Sequence, residues 1–331
     1  MLSLYHNRAG RAERPVDYAT ASLPANVAWI DLLKPELDEV AFVERTTGLE
    51  VPSIADLSEI ESSSRLRTRN GAIYLSAPLI YRAGSDQPLA TPVGFVLTRE
   101  RLITVRFEEL TSFNTFASRD LADESGPLTG AGVFAGLMDA IADRLADVLE
   151  SIAAELDALS HRLFRSRATE PAARRPPARE SADLRIILRR VGHSGDLASK
   201  IRDSLHGIGR MVPYVSSLAG DWLPSEVKPR LDTVRQDVLS LSDYDAHIVN
   251  KLQLLLDSTL GVINVEQNNI IKVLTIVSVV GILPTLIASM YGMNFKGMPE
   301  YDWSWGYPYG LAMIALSAIL PVAWFKWRGW I

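Results

Sequence analysis

Residues 273–293 read VLTIVSVVGILPTLIASMYGM, twenty-one in a row without a charged side chain. Wound as a helix, that run crosses roughly 30 Å of hydrocarbon, the thickness of a bilayer interior. A second run, Tyr307–Phe325, reads YPYGLAMIALSAILPVAWF. Pro284 and Pro321 interrupt the two, an interruption that membrane helices tolerate better than soluble ones do. Two charge-free runs so close together are hard to bury in a soluble fold, so a two-helix transmembrane hairpin is predicted. Lys272 precedes the first span, and Lys326 and Arg328 follow the second. Basic flanks at both outer ends predict an inner-membrane protein with both termini in the cytoplasm. Trp303, Trp305, Trp324, Trp327 and Trp330 fall at the expected interfaces, where an amphipathic ring is stable.

Upstream of the first span the period is helical. Positions 231, 234, 238, 241, 245, 248, 252, 255, 259 and 262 alternate steps of three and four, and only Asp245 and Thr259 among them are not apolar. That is a heptad seam. It runs from Pro229 to Gly261 with no glycine or proline inside it and continues into the membrane run, so one helix of roughly 60 residues, near 90 Å long, is predicted. A stalk of that length needs partners for its faces, and self-association is the economical expectation.

The same stepping from Asp257 visits Gly261, Asn264, Asn268, Ile271, Thr275, Ser278, Ile282, Thr285, Ser289 and Gly292. Inside the span this is the only polar face. Hydroxyls on one stripe can bond back to their own helix or join helices together. A face that stays polar both in water and in lipid, however, reads as the wall of an aqueous path. Ile271, Leu274 and Ile282, on or beside that face, are candidate apolar constrictions that gate by dewetting.

The first part of the chain reads as a small α/β unit. Val27–Leu32 is a predicted strand. Arg65–Arg69 and Ala72–Ile80 form a predicted hairpin around Asn70-Gly71, and Val93–Thr98 with Leu102–Phe107 form another. Short helices are predicted over 36–47 and 54–61. From residue 131, Leu137, Ile141, Leu145, Leu149, Ile152, Leu156, Leu159 and Leu163 mark a long helix. A proline- and arginine-rich run, 165–180, reads as the solvated tip before a return helix from Ser181 to about Val212, with Leu184, Leu188, Val191 and Ile201 inward. Gly207, Gly209, Pro213, Gly220 and Pro224 then mark a turn.

Composition removes several function classes. With no cysteine, disulfides, thiolate metal sites and cysteine nucleophiles are excluded. A net charge of -5 argues against nucleic acid as a partner. The five histidines, His6, His161, His193, His206 and His247, form no ligand pair, and there is no phosphate-binding glycine loop or nucleophile elbow. No enzyme is expected.

At the outer end of the first span stands Tyr291-Gly292-Met293-Asn294, followed by Phe295, Met298-Pro299-Glu300, Trp305 and Gly306-Tyr307-Pro308. Together with Trp29-Ile30-Asp31-Leu32, Val93–Arg101 and the terminal Phe-Lys-Trp-Arg-Gly-Trp-Ile, these residues closely resemble the CorA family of magnesium channels. The resemblance implies a funnel-shaped homopentamer with an α+β cytoplasmic domain, long helices and a C-terminal two-helix transmembrane hairpin. In this chain the parts would be an α/β domain over 1–130, an antiparallel helical hairpin over 131–225 and a stalk over 226–272. A pore-lining span over 273–293, an outer loop over 294–306, a second span over 307–325 and a basic tail over 326–331 would follow. The function implied is a passive, potential-driven channel for hydrated Mg2+, with Co2+ and Ni2+ as secondary ions. The related zinc-transporting ZntB branch is the alternative.

By position, Asn294 would form the selectivity ring supported by Gly292 and Met293, with Thr285 in mid-pore, Asn268 and Asp257 at the inner mouth, and Leu274 and Ile282 as gates. Glu300 and Asp302 would gather cations at the outer mouth. Some family members close through a metal held by a stalk carboxylate. Thr233 stands at that position, which leaves Asp232 or Asp237 to bind Mg2+ as a gating ligand. No cofactor is implied, and the partners are membrane lipid, further copies of the chain and the ions themselves.

Overall fold

The computed structural model describes all residues except 7–11, 14–17, 60, 86, 121–127, 169–176, 294–296 and 331. They divide into two compact units, Met1–Leu256 and Asp257–Ile331.

In the first unit a sheet forms from β1 (Leu2–His6), β2 (Ala12–Glu13), β3 (Val27–Leu33), β4 (Leu66–Arg69), β5 (Ala72–Tyr81), β6 (Leu89–Leu97) and β7 (Leu102–Arg106). Their spatial order is β2-β1-β3-β7-β6-β5-β4. Among the described strands only β3 and β7 pair in parallel. The hairpin at Asn70-Gly71 closes as predicted, with both residues at positive φ, 51° and 76°, as a type I′ turn requires. The β6–β7 hairpin also forms, with β6 beginning at Leu89.

Most residues of β3 and β7, and of β6 from Val93 on, are buried, because both faces of the sheet are covered. Leu2, Leu4, Ile30, Leu32, Tyr74, Val96, Ile103 and Val105 cluster with Phe42 and Val43 of α1 (Leu37–Thr47) and Leu57 of α2 (Ile54–Leu57). At the sheet's centre, Arg106 on β7 donates from Nε to Oδ1 of Asp31 on β3 at 3.2 Å and from Nη2 to Oδ2 at 2.8 Å. The same carboxylate accepts from Thr104, which in turn accepts from the Trp29 indole at 2.9 Å. Both charges are buried, and every oxygen and donor named here has a partner, the condition under which a buried ion pair persists.

Several elements depart from the sequence reading. The helix predicted over 54–61 stops at Leu57, capped by a reciprocal Ser53–Asp56 box, and a separate turn, α3 (Ser62–Arg65), follows. Strands β1 and β2 and the short α4 (Thr111–Thr115) carry no clear periodicity of their own. The long helices are α5 (Gly130–Ala168) and α6 (Pro177–Leu218). All eight inward positions predicted on α5 are buried. On α6, Ile187 rather than Leu188 is fully buried. The turn predicted from Gly207 begins only after Leu218, since α6 carries Pro213 inside it. Gly207 is where α6 lies on the sheet: a Cβ there would sit 2.6 Å from that of Ala77 on β5. Residues 169–176 of the predicted arginine-rich tip lie outside the described residues.

The next helix, α7 (Val227–Tyr291), is one continuous element of 65 residues. Its seam is covered within the chain: Leu231, Val234, Val238, Asp245, Ile248, Leu252 and Leu255 are all buried. Arg230 to Asp139 on α5, Arg202 on α6 to Asp245, and Lys251 to Asp157 on α5 rivet it, at 2.7, 2.8 and 2.6 Å. The seam therefore gives no argument for self-association, because α5 and α6 supply the partners that a bare stalk lacks. In the second unit, the end of α7 is followed by a 3-10 turn, Pro299–Asp302, and by α8 (Gly306–Trp327).

Candidate ion-conducting site

Two helices of the described residues are long and apolar enough to cross a membrane, α7 and α8, and the most apolar window of α7 has none of its residues buried. Val273, Leu274, Val277, Leu286 and Met290 are exposed in the single chain, as a lipid-facing or subunit-facing surface would be.

Along the stripe, Asp257, Gly261, Asn264, Asn268, Ile271, Thr275, Ile282, Thr285, Ser289 and Gly292 are exposed, and Ser278 is partly so. Ser278, Gly281, Ile282, Thr285 and Ser289 line one groove of about 570 Å³ along α7. Thr275 donates its hydroxyl hydrogen to the Ile271 carbonyl and Thr285 to that of Gly281, each at 2.8 Å. The back-bonding raised for this stripe is thus real. It does not remove the hydroxyls from the surface. With the hydrogen committed to the backbone, the oxygen keeps lone pairs that can only accept.

Leu274 and Ile282 are about two-thirds exposed, at 65% and 63%. Asn294 lies outside the described residues, so of the predicted filter only Gly292 and Met293 are seen, both exposed where α7 ends. Glu300 and Asp302 share the 3-10 turn after it, Asp302 with its side chain exposed.

The candidate regulatory acids are not brought into a site. Asp232 pairs with Arg235 of its own helix at 3.8 Å, and both Asp232 and Asp237 are exposed. Among the described residues no three His, Asp or Glu side chains converge as a metal site would need. Asp237 acts instead on Asp139: burial pushes the Asp139 carboxyl up, Arg230 opposes this, and Asp143 and Asp237 add to the rise.

The structure adds a cavity that motif reading misses. Ala288, Tyr291 and Gly292 of α7 face Tyr307, Gly310 and Leu311 of α8 across about 550 Å³. The signal was present as small residues four apart on both helices, Ala288 with Gly292 and Gly306 with Gly310.

Comparison with known proteins gives one consistent result. Residues 24–327 match the model of the family described as CorA-like Mg2+ transporter protein. A protein named magnesium transport protein CorA from Campylobacter jejuni is 31% identical over 317 residues, covering 93% of each chain. A protein of the same name from Yersinia pseudotuberculosis is 29% identical and covers 99% of this chain and 98% of its own. Among solved structures, the complete CorA magnesium transporter of Methanocaldococcus jannaschii superposes with a TM-score of 0.75 at 17% identity, over 100% of this chain and 98% of that one. The ZntB cytoplasmic domain of Vibrio parahaemolyticus gives 0.54 at 13% identity over 79% of this chain and 97% of its own. At such identities these structural matches speak for the fold alone.

Proposed function

The chain belongs to the CorA-like Mg2+ transporter family, and from that premise we propose that it is a passive channel for hydrated Mg2+ in the inner membrane, driven by the membrane potential. It is an ion transporter, not an enzyme. The proposed assembly is a funnel-shaped homopentamer with α7 lining a central path over 273–293 and α8 outside it over 307–325.

The observation that carries this reading is the groove of Ser278, Gly281, Thr285 and Ser289, in which the Thr285 oxygen, its hydrogen given to the backbone, accepts and does not donate. Magnesium releases its waters reluctantly, and those waters present hydrogens outward. A wall of acceptors holds such a shell without stripping it, and without a carboxylate that would retain the ion. Ile271, Leu274 and Ile282 would close the path by excluding water, while Asn264, Asn268 and Asp257 would line its inner mouth. Asn294, with Gly292 and Met293, would be the outer filter, and Glu300 and Asp302 would concentrate cations before it. A divalent ion moving inward gains about 4.6 kcal/mol per 100 mV, twice the single-charge value, so no nucleotide is needed. Co2+ and Ni2+ are proposed as secondary ions, since geometry rather than affinity would have to exclude them. Gating by Mg2+ at Asp232 or Asp237 would need further ligands from another copy.

The experiment is flux into liposomes containing purified protein, with Mg2+, Co2+ and Zn2+ compared and Asn294→Ala alongside. Mg2+ entry that Asn294→Ala abolishes supports the proposal. Proton-coupled Zn2+ uptake without Mg2+ entry would overturn it in favour of the ZntB-like reading, and undiminished flux in the variant would remove Asn294 from the filter.

A further inference from the structure

The C-terminus of α8 ends in a built cap. Arg328 N–H donates to the Trp324 carbonyl at 3.0 Å, Gly329 to Lys326 at 3.1 Å and Trp330 to Phe325 at 3.0 Å. Gly329 takes φ +71°, so the chain turns back on itself as helix ends with glycine there do. Trp330 then stacks on Phe325 with ring centres 5.4 Å apart, and Phe325 is the only residue of α8 that is buried. Its neighbours at this end keep much of their surface exposed. Trp324, Lys326, Trp327, Arg328 and Trp330 are exposed, Trp327 by 82%.

Charge and placement narrow what this surface is for. Among the described residues neither Lys326 nor Arg328 enters an ion pair, and α8 has no acidic residue at all. The Arg328 guanidinium lies 5.8 Å from the centre of the Trp324 ring, which orients it without neutralising it. Two cations set among three indoles at the end of an apolar helix match the layered chemistry of a phospholipid: phosphate outermost, glycerol ester next, acyl chain below.

We propose that this cap is a docking surface for anionic phospholipid of the leaflet it meets, Lys326 and Arg328 taking the phosphate and Trp324 and Trp327 the ester level. The inference rests on α8 crossing the membrane. Each cation removed should weaken the preference for anionic over zwitterionic lipid roughly fivefold.

The test uses the full chain in bilayers of equal phosphatidylglycerol and phosphatidylcholine, with lipid retained by the protein counted by native mass spectrometry. Enrichment of phosphatidylglycerol that falls by an order of magnitude or more in Lys326→Gln/Arg328→Gln, and persists in Arg328→Lys, supports the surface. An unchanged ratio in the double variant overturns it, as does loss of the enrichment on adding inorganic phosphate, which would indicate a site for free phosphate. Mg2+ flux of the same variants in phosphatidylcholine alone reports separately on transport. Wild-type flux with no lipid preference sinks only the docking surface, and a lipid preference with no flux sinks only the channel.

Discussion

Asp245 is the residue where the chain breaks its own pattern. It is the one charged residue on a seam that is apolar but for Thr259, is 1% exposed, and has one carboxylate oxygen, Oδ1, buried without a hydrogen-bond partner. Arg202 holds the other oxygen at 2.8 Å but is itself half exposed. Burial pushes the Asp245 carboxyl up, outweighing Arg202 and His206. A carboxyl whose folded value is raised favours the folded state when protonated, and that contribution is lost as pH rises through the folded value. Asp245→Leu is therefore expected to raise the unfolding temperature at neutral pH, with a gain of about 1 kcal/mol or more, and the gain should shrink as pH falls into the carboxylate range. Arg202→Ala should do the opposite, losing about 1–3 kcal/mol by leaving the charge unpaired. Thr285 invites a different change. Thr285→Val keeps shape and removes the acceptor, so Mg2+ flux should fall about fivefold for each hydrogen bond to the ion's shell that is lost, with folding unaffected.

Among the elements, two glycines of the long helices make opposite predictions. Gly207→Ala drives a methyl into Ala77 across the contact of α6 with β5 and should destabilise by about 1–3 kcal/mol in denaturant titration. Gly281→Ala meets nothing within 4 Å in the single chain, so any loss of flux it causes must come from the path or from a neighbouring copy. The contrast also shows what was legible in the sequence. The Asn70-Gly71 hairpin, the α5 stripe and the entry of α7 into the first apolar run were readable because each is a local periodicity or a local turn chemistry. Strand β1 was not, because Leu2–His6 has too few residues to show a period and is fixed by pairing with β3 some 25 residues on. Pro213 misled because proline's local preference gave way to packing on both sides of it. The seam misled in a different way: its period is real, but period alone does not say whether the partner is another copy or α5 and α6. For the site, the stripe was legible, whereas the direction of the threonine hydrogens required coordinates.

At the scale of the molecule, residues 1–256 form a unit with its own sheet and helices, and expressed alone they should yield a soluble, cooperatively unfolding protein. With equal Mg2+ on both sides, liposomes containing the full chain should accumulate Mg2+ only when their interior is made negative, and net uptake should vanish when the potential is collapsed. The parallel pairing of β3 with β7 has one more consequence, in the order of assembly. Trp29 and Asp31 find their neighbours Leu102 and Thr104 only after some seventy intervening residues have been synthesised. Until Arg106 leaves the ribosome, β3 is a bare edge, and the β1–β3 and β4–β6 halves are separate pieces. Closing the Asp31–Arg106 pair joins them into one sheet, and it can do so long before the charge-free run that starts at residue 273 is synthesised. The nascent chain can thus complete its sheet before it presents the insertion machinery with anything greasy enough to recognise.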